Sequence, residues 1–348
     1  MQKRIEWIDI ARGIAFLMII YSHIDFTNDF LMIYFSPIFL TTFFFISGYL
    51  FSTKRSFVET LEQRFRTLMI PWLIYGLFNI LLSQIVSLNN HAPLAAELID
   101  MFKSIRGEND NLWFLACLFV ASIPFYIFIK YIPNIFLLPL SFIFFIVNKF
   151  LFVGQIPWYI NLIFPTMFFM TLGYIFKQHE SHFKFINSVT FLSISIPIYI
   201  LGTFLYYYFT NEKISFVPTH YIIGGLAITL LGLLICISIS KQLTILKSFL
   251  VFIGSNSLLY FCLHGKVYSV LQKLYYVTSS HFVYYTSSNI SRCIVGIIIT
   301  ILTALILIVP VKIINKFFPF SIGKGFNIIK LLTLLCHDSP KTRRRNHH

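Results

Sequence analysis

Residues 4–23 read RIEWIDIARGIAFLMIIYSH. An apolar run of helical length carries Asp9, Arg12 and His23, groups that lipid does not tolerate on a helix surface. At 100° per residue, the steps from Arg12 to His23 sum to about 1100°, within ~20° of whole turns, so both side chains share one helix face. At 1.5 Å per residue they stand roughly 16 Å apart along the axis, about half the hydrocarbon core of a bilayer. Asp9 falls on the same side one turn earlier, spaced to pair with Arg12. Taken singly, Arg12 and His23 could snorkel to opposite surfaces. Together, above Asp9, they predict a polar track through a protein interior.

Composition extends this reading to the whole chain. Its 348 residues are 57% hydrophobic, 18% aromatic and 11% charged, with a mean hydropathy of +0.78. Soluble domains carry about 25% charged residues. The expectation is an all-α polytopic membrane protein, with the lipid bilayer as its first partner. Ten hydrophobic segments, near 8–26, 31–52, 68–88, 112–131, 134–152, 157–176, 188–209, 221–239, 250–272 and 292–311, approach the ~20 residues a span requires. Pro133, Pro139, Asn148 and Lys149 interrupt the fifth most. Most lysines and arginines fall in the loops on one side, which the positive-inside rule makes cytoplasmic together with both termini. Topology and anionic lipid thus account for most of the net charge of +14, and no nucleic-acid partner is expected. The five cysteines are widely spaced, and the histidines of KQHESHF and of the tail do not form a metal motif, so neither a disulfide framework nor a metal site is expected. The chain divides into a transmembrane unit, 1–320, and a basic cytoplasmic tail, 321–348.

Three further stretches hold candidate chemistry. FFFISGYL, 43–50, places Ser47 and Gly48 among phenylalanines, either as a helix contact or beside a site. STKRSFVETLEQRFRTLMIPW, 52–72, reads as a loop whose Arg55, Arg64 and Arg66 offer forks for phosphate or serve topology alone. The ninth segment carries His264 and Lys266. Counted from an inner face near Leu250, His264 rises roughly 21 Å, a depth similar to that of His23. Two membrane histidines at matched depth with Lys266 nearby predict a site.

These residues resemble acyltransferase family 3, the ten-helix acyltransferases of bacterial inner membranes. The resemblance lies in Arg12, ten intervening residues, then His23, and continues in FFFISGYLF (43–51), RFRTLMIPW (64–72), NLWFLACLF (111–119) and IGSNSLLYFCLH (253–264), in the family's order. It is closest to the fucose 4-O-acetylase-like and capsule or O-antigen O-acetyltransferase branch. It implies acetyl transfer from cytoplasmic acetyl-CoA, as co-substrate and without metal, to a hydroxyl of a surface glycan or its lipid-linked precursor. It further implies His23 as base and Arg12 as donor-holding cation, with Asp9, Ser47, His264 and Lys266 in support and Arg55, Arg64 and Arg66 on the donor phosphates. A transporter or flippase of lipid-linked sugars is the alternative, with Arg12 and His23 lining its path.

Overall fold

The computed structural model describes residues 4–24, 29–86, 93–103, 112–152, 156–218, 220–279 and 289–325. The tail beyond 325 and parts of the long loops near 89–111 and 273–291 lie outside them. Among the described residues fifteen α-helices occur in order: α1 (Glu6–Ser22), α2 (Asp29–Phe35), α3 (Phe39–Tyr49), α4 (Phe57–Arg64), α5 (Ile70–Val86), α6 (Leu94–Lys103), α7 (Trp113–Tyr131), α8 (Asn134–Leu151), α9 (Ile163–Gln178), α10 (Val189–Thr210), α11 (Ile222–Gln242), α12 (Lys247–Ser255), α13 (Ser257–Ser279), α14 (Asn289–Ile306) and α15 (Ile308–Phe317). No strand occurs among the described residues. Helices satisfy every backbone group within one segment, which is what an apolar surround demands.

Among the described residues, eight helices or joined helices are long and apolar enough to cross a membrane. They match eight of the ten expected segments. The other two segments are α1, which has 17 residues and starts with Glu6 and Asp9, and the ninth segment, which is broken. There α12 and α13 meet at 92°. The break falls at Asn256, whose amide donates to the Phe252 carbonyl at 2.8 Å, closing the end of α12. The fifth segment, expected to be interrupted, is the continuous α8 with Pro139 inside it. The stretch after Phe51 is helical from Phe57, not a loop: Ser56 and Glu59 form a capping box, and α4 continues through a π-helical turn, Phe65–Met69, into α5. Such turns concentrate at functional sites.

Outer helices turn apolar side chains outward, among them Ile135 and Phe136 of α8, Ile198 and Leu201 of α10 and Ile294 of α14. The centre belongs to α1, packed by α3, α11, α12, α13 and α14. Its Ala11, Ala15, Phe16 and Ile20 are completely buried. Contact with lipid-like neighbours gives no hydrophobic drive, so close packing at small residues must hold α1 and α12 together. A Cβ on Gly13 would collide with the Leu250 carbonyl, and one on Gly254 with the Asp9 carbonyl. Gly254→Ala is therefore expected to cost about 1–3 kcal/mol by overpacking, read as a lowered unfolding temperature in detergent. An unchanged temperature would mean that this crossing relaxes without cost.

One end of the bundle is tied by Glu180, the first residue of the 3-10 turn that follows α9, Glu180–Asn187. It accepts from the Tyr49 hydroxyl at 2.6 Å and from Lys241 Nζ at 2.7 Å, and Lys241 also lies over the Trp7 ring. Burial pushes the Glu180 carboxyl up, but the hydrogen bonds from Lys241 and Tyr49 outweigh it, and its pKa lies below the usual carboxylate value. This end gathers the start of α1, α4 and the turns after α9 and α11, and is called the basic end below.

Candidate active site

Two helix faces build the site. On α1 the stripe runs Asp9, Arg12, Phe16 and then His23, which caps the helix just past Ser22. On α13 and the break before it, Asn256, Tyr260, His264 and Tyr268 recur every four residues, so they share a face with a slow drift. The two stripes meet ring to ring. Phe16 packs edge-on against Tyr260 at 5.7 Å and His264 at 5.4 Å between centroids. His23 lies 5.3 Å from His264 and stacks within 8° of parallel on Tyr268 at 5.9 Å.

The two histidines therefore form one centre, as matched depth predicted, but the count that suggested it fails. It assumed one straight helix from Leu250, whereas α12 packs against residues 9–13 of α1 and the chain turns by 92° before α13 begins. What aligns the rings is the register of α13 on α1.

Their environments differ. His264 is fully buried. Its Nδ1 lies 2.9 Å from the Phe261 carbonyl and 3.1 Å from the Tyr260 carbonyl. Carbonyls only accept, so Nδ1 carries the proton and Nε2 keeps its lone pair. Among the described residues that buried Nε2 has no hydrogen-bond partner, a condition rare enough in folded proteins to require a cause. Tyr260, below it, is anchored by its hydroxyl to the Ala304 carbonyl at 2.9 Å. His23 is only half-buried and reaches the rim of the cluster.

Below the histidines lies a group of cations. Asp9, buried, accepts from Arg4 Nε rather than from Arg12, which corrects the expected Asp9–Arg12 pair. Arg4 precedes the helix and folds back over its first turn. Arg12 is left within Coulombic range of Asp9, Arg4 and Arg64. Arg64 comes from the end of α4, with its guanidinium 4.7 Å over the Phe51 ring. Among the described residues, neither Arg12 nor Arg64 has a carboxylate hydrogen-bonded to it.

The remaining candidates sit elsewhere. Arg66 lies two residues past Arg64, and residues two apart on a helix do not face each other. It lines a separate cavity with Asn256 and Asn315. Arg55 is exposed and bonded to Gln63, and its carbonyl accepts from the Tyr126 hydroxyl at 2.9 Å. Ser47 donates to the Phe43 carbonyl at 2.8 Å, beside Gly48, which packs against the α9 backbone at Met170. Lys266, half-buried, lies in Coulombic range of Glu97 and Lys273. Phe16, Tyr260 and Tyr268 were missed by sequence reasoning. The four-residue spacing on α13 held the signal for the two tyrosines.

A family model described as an acyltransferase domain matches residues 5–309. The chain belongs to acyltransferase family 3. Both stripes of this family 3 acyltransferase, and Arg64 between them, fall within the matched residues. It is a multi-pass membrane acyltransferase, and the expected resemblance is confirmed at the level of the family. No curated protein and no solved structure matches the chain.

Proposed function

We propose that the protein is an O-acetyltransferase of the bacterial inner membrane. It moves an acetyl group from cytoplasmic acetyl-CoA to a hydroxyl of a surface glycan or its lipid-linked precursor. The observation that carries this reading is the continuous stripe on α1. It has a cation pair, Arg12 and Arg64, at the basic end and the His23–His264 contact roughly 16 Å farther along.

Two guanidiniums brought together without a bridging carboxylate repel each other, and a phosphate between them would remove that cost. Arg12 and Arg64 therefore hold the donor's phosphates, and the thioester reaches up the stripe. His23, half-buried, meets the acceptor. Its imidazole takes the acceptor's hydroxyl proton as the oxygen bonds to the thioester carbonyl carbon. The carbon–sulfur bond then breaks, and the departing thiolate takes that proton from the imidazolium, leaving a free thiol and an ester. His264 accepts a hydrogen bond at Nε2 and orients the acceptor or the His23 ring. Asp9 holds Arg4 over the first turn and keeps the inner mouth ordered.

The test is release of free coenzyme A by purified protein given acetyl-CoA, with and without a de-O-acetylated surface glycan. Acceptor-dependent release is expected, and its absence with every glycan of the host would contradict the reading. Arg64→Ala is expected to raise the donor KM tenfold or more and leave the acceptor KM nearly unchanged, since a charge-assisted bond to phosphate contributes ~1.5–3 kcal/mol. An unchanged donor KM with altered membrane orientation would assign Arg64 to topology.

A further inference from the structure

The end of the molecule opposite the basic end carries a second polar site. Helix α10 starts at the basic end, after the turn that Glu180 begins, so its last residues and the loop 211–218 lie at the same end as His23. A cavity of about 500 Å³ opens there, between that loop and the turn joining α2 to α3. That volume falls in the range of small-ligand pockets, ~300–1,000 Å³. Ser36 of the turn, Tyr207 of α10, and Asn211, Glu212, Lys213 and Ser215 of the loop line it.

The loop is held in one shape. Asn211 ends α10 at a φ of +55°, and its N–H donates to the Tyr207 carbonyl at 2.7 Å. The Thr210 hydroxyl accepts from the Glu212 N–H at 3.1 Å, and the Glu212 carboxylate lies 3.0 Å from His220 Nδ1. The Tyr206 hydroxyl donates to the His220 carbonyl at 2.8 Å. Pro218 packs so close to Gly225 of α11 that a Cβ there would strike it. Ile214, 1% exposed, anchors the middle of the loop. A ligand would therefore meet a preformed wall, at little cost in ordering.

Three polar side chains of the lining are left over from this framework. Among the described residues, those of Ser36, Tyr207 and Asn211 make no hydrogen bond, and the Ser36 hydroxyl is also buried. Buried polar atoms are paired in most folded proteins. A hydroxyl, a phenol and a carboxamide offer donors and acceptors together. Glu212 and Lys213 bring one charge of each sign, so the lining selects neither an anion nor a cation. The Tyr207 ring adds an apolar face beside its polar tip. A neutral ring bearing many hydroxyls matches this set, whereas a phosphate or an acyl chain does not.

Ring contacts tie the cavity to the histidines on two sides. Phe35, next to Ser36, packs edge-on against Tyr21 of α1 at 5.4 Å, two residues before His23. Phe216 of the loop lies 5.6 Å from Phe44, Phe44 lies 5.0 Å from Phe114, Phe114 lies 5.6 Å from Phe261, and Phe261 lies 5.9 Å from His264. With three rings between Phe216 and His264, one sugar cannot fill both places, and a chain of sugars can. We infer that this cavity binds a sugar unit of a glycan chain, a unit other than the one whose hydroxyl meets His23. That the chain is the acceptor rests on the acetyl-transfer reading above, whereas the sugar site does not. The cavity then sets which stretch of the chain is presented to the base.

The experiment is calorimetry on the full chain in detergent, with single sugars and oligosaccharides cut from the host's de-O-acetylated surface glycan. The wild type is expected to bind the oligosaccharide about tenfold or more tighter than the single sugar. Tyr207→Phe with Asn211→Gly is expected to remove most of that preference, because it deletes two hydrogen-bonding groups. Glycine keeps the φ of +55° without steric cost, so the loop should stay folded. Ser36→Ala deletes a buried, unpaired hydroxyl, and should reduce the preference without lowering the unfolding temperature. No preference for the oligosaccharide in the wild type, or the same preference in all these variants, would overturn the proposal. His23→Ala should keep the preference while losing acetyl transfer. If the oligosaccharide binds here and no coenzyme A is released with any acceptor, the acetyl-transfer reading fails and the sugar site stands.

Discussion

His23→Ala loses acetyl transfer by a factor of about 100 or more while the protein inserts and accumulates normally. The magnitude is that of a general base removed from a hydroxyl attack, ~10²–10⁴-fold. Insertion should survive because His23 caps α1 at a half-buried position, and its loss leaves Phe16, Ile19 and Ile20 packed in the core. His264→Ala is a different kind of change. It empties a fully buried site beneath Phe16 and Tyr268, so loss of activity there would come with loss of stability. His264→Gln, which keeps a polar group, separates the two effects. Near-normal transfer by His23→Ala, per inserted molecule, would remove His23 from the chemistry.

Arg12 gives the second large effect. If it only snorkelled, Lys would replace it without loss. If it only completed a pair with Asp9, its removal would be mild, because Arg4 already occupies that carboxylate. Facing Arg64 with no carboxylate of its own among the described residues, it is placed to share an anion. A point charge partly substitutes for a planar fork there. Arg12→Lys is therefore expected to keep partial activity, and Arg12→Ala or Arg12→Gln to lose nearly all of it, with donor binding weakened more than acceptor binding. The measurement is acetyl transfer normalised to inserted protein, with cysteine accessibility confirming that the N-terminus keeps its side. A fully active, correctly inserted Arg12→Ala would end the claim that this stripe carries function.

Much of this arrangement was legible in the sequence, for reasons that also explain what was not. Arg12 and His23 share a face because helical periodicity is rigid over eleven residues, and along it the structure sets Arg12 near Arg64 and His23 against His264. Their meeting with His264 depended instead on where the ninth segment breaks. Gly254, Ser255, Asn256 and Ser257 are all weak helix formers, yet a run of small polar residues does not say whether a helix bends by 92° or continues. The Asp9–Arg4 pair was hidden because Arg4 lies before the helix, where periodicity no longer applies. Arg64 and Arg66 were grouped by proximity in a supposed loop. Once the segment is helical from Phe57, the same two-residue spacing sends them to different places. Asn315 gave no local signal for its bond to Asn256, which lies 59 positions away.

The central claim is that donor and acceptor meet along the α1 stripe, from opposite ends. Sealed vesicles containing the purified protein, with labelled acetyl-CoA inside and a lipid-linked or surface glycan outside, test it most directly. The account predicts labelled ester on the outer glycan, free coenzyme A inside, and background label with His23→Ala. Movement of intact lipid-linked sugar across the membrane with no coenzyme A released would contradict it and identify a transport path instead.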